Sequence, residues 1–419
     1  MNTSSFSVKV YLWGLLIGKL SWDSTEMKSI FSFSEEYLDS CFDISPVSYS
    51  KDKYRSKAFY GEKAFEGLPS FLADSLPDDW GNTLFDKWTS QNSIPLNEMR
   101  SLLKLSFIGK RGMGALEFVP SQEMGCDDEA VDIESLYEVA MMVLHDREQA
   151  RLDLSSSLSL KQLIALGTSA GGKHAKGVIA INGNNEMRSG QIALPEDYRY
   201  YLLKFNEDPD VPTCEIEKIY YDMAVASGIT MMPSRLLPVG GVNHFLTERF
   251  DRKSGGEKVH VQSLRALSPL ANDYMNLFWL CEKMHLPSEQ REELFRRMVF
   301  NFVAGISDDH NRNFSFLMDS SGQWSLAPAY DLMFTSNTWA NPSAISHSLG
   351  MCQKRAHVTL DDFVDFGSDL DIPDCRSIVR EVCECVATFP QRCNQQGIPG
   401  KWTELIWGVI KQLIPKEFR

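Results

Sequence analysis

Polar and apolar positions alternate near the start of the chain. Val8-Lys9-Val10-Tyr11-Leu12-Trp13 runs to Gly14, and Leu15-Leu16-Ile17-Gly18-Lys19-Leu20 resumes after it, which predicts a β-hairpin. Ile30-Phe31-Ser32-Phe33 predicts a further strand, so the first stretch reads as a small sheet. The period lengthens between Ile133 and Arg147, where Ile133, Leu136, Val139-Ala140 and Val143-Leu144 predict a helix. Strand patterns return at Val178-Ile179-Ala180-Ile181 and at Tyr200-Tyr201-Leu202-Leu203-Lys204-Phe205, and residues 233–252 predict a hairpin. Beyond Pro269 the texture is mainly helical, including the stretches 378–389 and 405–413. These patterns predict an α+β chain: a part covering 1–100, a sheet-bearing lobe over 101–265 and a mainly helical lobe over 266–419.

Composition narrows the class. A chain of 419 residues with 43% apolar and 11% aromatic content can bury a large core and is not disordered. The formal charge of -14 argues against a broad nucleic-acid surface, which needs concentrated Lys and Arg. No apolar run approaches the length of a membrane span, and no basic-then-apolar leader opens the chain, so a cytoplasmic location is expected. Nine cysteines are too few and too irregular for a disulfide scaffold, and the spacing of Cys375, Cys383, Cys385 and Cys393 lacks the close pairs of a structural zinc site.

The densest chemistry lies at Asp308-Asp309-His310-Asn311-Arg312-Asn313, with Asp331 following in Pro328-Ala329-Tyr330-Asp331. The apolar run Met298 to Ile306 leads into the hexapeptide and predicts delivery at the end of a buried helix. On a loop that doubles back, Asp308 and Asn313 can face one another while Asp331 enters from a neighbouring turn. Carboxylate and amide oxygens are hard ligands suited to Mg2+, which leaves Asp308 to accept a proton from a hydroxyl nucleophile. A plain Asp/Asn turn is the competing account of the hexapeptide alone, since these side chains bond their own backbone.

A second candidate is Gly167-Thr168-Ser169-Ala170-Gly171-Gly172-Lys173-His174-Ala175-Lys176-Gly177. Small residues let backbone amides approach a phosphate chain and Lys176 adds a point charge, but the P-loop pattern is incomplete and an ordinary Gly-rich hairpin fits as well. Lys204 sits in an otherwise aromatic and aliphatic strand, where either an anionic partner or an edge position would accommodate it. Glu217, just before a stretch from Ile219 to Gly228 that predicts a helix, is a candidate partner for Lys204 or a surface residue. Phe245-Leu246 is a candidate adenine slot with Glu248 beside it. Arg249 and Arg252 belong most simply to a salt-bridged turn.

Together these motifs resemble the HipA family of toxin–antitoxin kinases, which is protein-kinase-like. The resemblance runs through Leu76-Pro77-Asp78-Asp79-Trp80-Gly81, the loop at 169–177, Leu203-Lys204-Phe205, Arg249-Phe250-Asp251-Arg252, the hexapeptide at 308–313 and Tyr330-Asp331. It implies a two-lobed fold with Asp308 as catalytic aspartate and Asn313 and Asp331 as metal ligands. It further implies Lys204 on nucleotide phosphates, Lys176 as the lysine of the family's loop, Glu217 as the helix glutamate and Ser169 as a site of autophosphorylation. The expected cofactors are ATP and Mg2+. The expected substrate is a protein serine or threonine, in one branch of the family an aminoacyl-tRNA synthetase. The expected partner is a helix-turn-helix antitoxin through which DNA is met indirectly. A small-molecule kinase and a silent regulatory protein with a kinase-like fold are the alternatives.

Overall fold

The computed structural model describes residues 6–55, 57–94, 99–122, 130–145, 158–167, 174–335 and 345–419. The chain divides into two compact units. The first comprises Met1–Glu207, Leu237–Gln262 and Leu317–Gln323; the second comprises Asp208–Leu236, Ser263–Phe316 and Trp324–Arg419.

In the first unit the alternating start of the chain forms the hairpin Ser7–Leu12 and Leu15–Asp23, with Leu12 opposite Leu15. Trp13 and Gly14 both take positive φ (50° and 82°), as the tight turn that matches strand twist requires. Lys28–Phe33 and Phe59–Tyr60 extend this sheet on one side and Leu116–Val119 pairs with Ser7–Leu12 on the other, all antiparallel. Phe31, Phe33, Tyr49, Phe59 and Phe71 pack ring against ring beside it, with centroids 4.7–6.2 Å apart.

A second sheet has the order Met187–Ser189, Lys176–Ile181, Arg199–Lys204, Val242–Glu248, Ser234–Val239. Its strand Lys176–Ile181 is buried along its whole length, and helices pack against the sheet. Leu160, Leu163 and Ile164 from Leu158–Gly167, Leu136 and Ala140 from Ile133–His145, and Trp80, Leu84 and Phe85 from Asp79–Gln91 join Ile179, Leu203 and Leu246 in one core. The Leu-Pro-Asp-Asp-Trp-Gly segment is thus less exposed than its polarity suggests. Asp78 accepts from the Gly81 N–H as an N-cap, while Trp80 is only 2% exposed and its indole donates to the Lys176 carbonyl at 2.9 Å.

The second unit is mainly helical. Ser288–Ala304 is its buried axis: Leu294, Phe295, Met298, Val299, Phe300 and Val303 have no exposed surface. Thr213–Ala226 lends Tyr220, whose hydroxyl donates to the Ala304 carbonyl at 2.7 Å and satisfies one of the unpaired acceptors at the helix end. Gly305 ends the helix with φ +72°; a Cβ there would stand 3.2 Å from the Phe334 ring. Tyr274–Lys283, Leu360–Asp369, Cys375–Val386, Phe389–Gln395 and Gly400–Leu413 complete the unit. Among the described residues no helix is long and apolar enough to cross a membrane.

Candidate active site

The helix Ser288–Ala304 and its glycine cap deliver the chain into residues 307–313 at the edge of the second unit's core. Two neighbouring aspartates then meet opposite environments. The Asp308 side chain is 64% exposed, whereas that of Asp309 has no exposed surface. Thr335 Oγ1 accepts from the main-chain N–H groups of Ser307 and Asp308 at 3.2 and 3.1 Å, so the backbone under Asp308 is fixed although its carboxylate is in solvent.

The loop doubles back. Asn313 N–H donates to the His310 carbonyl at 2.9 Å, and the Asn313 side-chain amide donates to the Asp308 carbonyl at 2.9 Å. His310 Nδ1 accepts from the Arg312 N–H at 3.3 Å, which assigns the ring hydrogen of the neutral form to Nε2; that atom lies 3.9 Å from Asp308 Oδ1.

Asp331 arrives by a second route. Strands Ser315–Met318 and Trp324–Leu326 precede it, and the Ala327 N–H donates to the Ser315 carbonyl at 3.0 Å. Tyr330 then pins the return: its hydroxyl donates to the Arg312 carbonyl and lies against Ser315 Oγ, both at 2.6 Å. Asp331 itself is exposed and takes φ +56°, a left-handed conformation that Asp tolerates better than most residues. Asn313 and Asp331 line one small pocket together with Asn301, Asp309, Arg297 and Leu332. An amide oxygen and a carboxylate oxygen form a hard donor set, and Mg2+ is held by few protein oxygens with water and phosphate completing its shell. The residues present fit that ion.

The remaining candidates on described residues lie mostly in the first unit, on adjacent strands. Lys176 stands opposite Lys204, and Lys204 opposite Phe245, so the three side chains share one face of the sheet. Lys204 Nζ is 5.9 Å from the centre of the Phe245 ring. Lys176 is 4% exposed. Immediately before it, the Ala175 N–H and His174 Nδ1 contact the Glu207 carboxylate at 2.6 and 3.1 Å; burial raises that carboxyl, but the His174 and Ala175 hydrogen bonds outweigh it and lower its pKa. Glu248 forms an outward ion pair with Arg199 at 3.2 Å. Glu217 is buried on the helix Thr213–Ala226 of the second unit. Ser169, Gly171 and Gly172 lie outside the described residues.

Arg249, Asp251 and Arg252 form a buried cluster in the first unit, with side-chain exposures of 1%, 0% and 2%. Arg249 grips the Asp251 carboxylate through Nε and Nη2, both at 2.8 Å, and Arg252 adds a third bond at 2.8 Å. The remaining donors of Arg252 reach the carbonyls of Gly112 and Gly114, and Asp251 accepts from the Gly114 N–H at 2.7 Å. The glycine-rich turn at 109–114 is therefore a docked structural loop. Burial pushes the Asp251 carboxyl up, but the two guanidinium groups outweigh it and hold the carboxyl well below the usual range; Arg252 is lowered to about 10, chiefly by burial and the charge of Arg249. His260, fully buried, is lowered to about 3 by burial and is neutral.

Protein kinases pair a strand-borne lysine with a loop that carries an aspartate and an asparagine. Residues 168–389 match the HipA-like C-terminal domain and residues 8–119 match the HipA N-terminal domain, so the chain belongs to the HipA family. It is similar to the serine/threonine-protein kinase toxin HipA of Shewanella oneidensis, 22% identical over 370 residues that cover 80% of this chain and 76% of the relative. It is also similar to Y4mE of Sinorhizobium fredii, described as a candidate kinase, 23% identical over 326 residues covering 73% and 72% of the two chains. Its fold matches the HipA chain in the Shewanella oneidensis complex of HipA, HipB and operator DNA. The TM-score is 0.65 at 16% identity, over 97% of this chain and 96% of that one. The fold is accordingly α+β and HipA-like.

Proposed function

We propose that this chain transfers the γ-phosphoryl group of ATP to a serine or threonine of a protein, with Mg2+, as the toxin of a toxin–antitoxin pair. The observation that carries this reading is the contrast in the 308–313 loop: a solvent-exposed Asp308 on a braced backbone, with Asn313 and Asp331 lining one pocket. Asp308 orients the incoming hydroxyl and accepts its proton. Asn313 and Asp331 hold the metal, whose charge when bound offsets that of the phosphate oxygens. Lys176 and Lys204 bind phosphate. Phe245 and Glu248 are assigned to the adenosine end, Glu217 to the role of the helix glutamate, and Ser169, Gly171 and Gly172 to the nucleotide loop, with Ser169 modified by the chain itself.

The partner is a helix-turn-helix antitoxin, which brings the chain to DNA indirectly; the Shewanella oneidensis relative is seen with HipB and operator DNA. The acceptor is a cytoplasmic protein, and aminoacyl-tRNA synthetases are the first to assay. The test is mass-resolved phosphorylation of purified protein and host lysate with ATP and Mg2+, beside an Asp308→Asn control. Phosphate on Ser169 or on one lysate protein only with the parent is the expected result. A folded, ATP-binding parent without Asp308-dependent phosphate on any protein overturns the assignment.

A further inference from the structure

Asp309 has no exposed side-chain surface, yet an acidic group removed from water must be matched by donors. The donors come from separate parts of the second unit. Tyr274, at the start of Tyr274–Lys283, donates its hydroxyl to Asp309 Oδ2 at 2.7 Å, and His347 Nδ1 meets the same oxygen at 2.9 Å. Asp309 Oδ1 accepts from the Ser348 N–H at 2.8 Å and the Leu349 N–H at 3.4 Å. Each donor is itself held. Asn301, from the helix leading into the loop, donates to the Tyr274 hydroxyl at 3.0 Å. The His347 ring stacks on Phe302 of the same helix, with centroids 3.9 Å apart and planes 28° from parallel. Arg355 donates to the carbonyls of His347, Ser348 and Asn272, which closes residues 347–355 into a brace.

We propose that Asp309 and His347 are positioning residues: the buried carboxylate, gripped by His347 and Tyr274, fixes the backbone from which the adjacent Asp308 meets the acceptor hydroxyl. This rests on the reading of Asp308 given above. Anchoring the Asp309 carboxylate in the core holds the loop at the residue next to Asp308, a constraint separate from the two backbone bonds to Thr335. His347 is not assigned to the metal or to the nucleotide.

The experiment compares the parent with His347→Phe, Tyr274→Phe and Asp309→Asn in steady-state phosphoryl transfer. His347→Phe keeps a ring on Phe302 and removes the contact to the carboxylate; Tyr274→Phe removes one hydroxyl and is the variant that keeps the test open if Asp309→Asn does not fold. A displacement on the order of an ångström at a reacting group costs about 100-fold in rate, so kcat is expected to fall about 10- to 100-fold in His347→Phe while KM for ATP stays within about twofold. In an Asp308→Asn background the same His347→Phe change is expected to lower the residual rate less than about twofold, because its effect acts through Asp308. A folded variant with unchanged kcat, or an equal loss in both backgrounds, overturns the proposal and leaves the kinase reading intact. A parent with no Asp308-dependent transfer removes both.

Discussion

The turn at 249–252 and the loop at 308–313 are both short, highly charged segments, and they use charge in opposite ways. In the turn every charged atom is buried and answered: one carboxylate, two guanidinium groups, and glycine carbonyls for the donors left over. In the loop only Asp309 is treated so, while Asp308 projects into solvent and Asp331 is exposed nearby in the same unit. A buried ion cluster is a poor source of net stability but fixes one arrangement, because any alternative leaves a charge unmatched. An exposed carboxylate on a fixed backbone adds little to stability and is available for chemistry. Sequence motifs of equal density therefore mark different properties.

That contrast can be broken at several points. Asp308→Asn is expected to lower phosphoryl transfer by about 100- to 10,000-fold, the range for removing a general base, with the urea midpoint unchanged. Asp251→Asn is expected to do the reverse, costing about 3–5 kcal/mol in urea unfolding by leaving two buried guanidinium groups poorly matched. A pH series sharpens it. The Asp251 carboxyl is held below its unfolded value, so its contribution is fully present above about pH 4 and declines as pH falls through the lower folded value. Parent stability should thus fall below pH 4 more steeply than that of Asp251→Asn, and parallel acid slopes would contradict the assignment.

Gly305→Ala tests the hinge between buried helix and exposed loop. The left-handed φ costs about 1–2 kcal/mol for a residue with a Cβ, and thermal unfolding should register that loss. The smallest effect belongs to Arg199→Ala. Its pair with Glu248 is 69% exposed on the arginine side, so the loss of stability should stay below about 1 kcal/mol and shrink further in salt.

The sequence was most legible where one element carries the information. Alternation from Val8 to Leu20 predicts the hairpin that is found, and the apolar run from Met298 predicts a buried helix ending at the acidic loop. Trp80 was harder to read, because polar neighbours mark a helix start whether the indole faces water or a strand carbonyl 96 residues away. His347 carried no signal at all. It lies 38 residues from Asp309 in a segment without periodicity, and only tertiary structure reveals that a stacked imidazole backs the loop. Asp308 and Asp309 likewise look equivalent as letters; burial separates them.

The indole of Trp80 also bears on dissection of the protein. It belongs to the stretch matching the HipA N-terminal domain, and the carbonyl it reaches, on Lys176, belongs to the stretch matching the HipA-like C-terminal domain. Trp80, Leu84, Phe85 and Phe107 share a core with Ile179, Leu203 and Leu246 across the same boundary. A fragment cut between the two matched stretches would expose the apolar surface that each half now shields for the other, and both pieces should aggregate when expressed alone. The border between the two matched stretches therefore runs through a shared core.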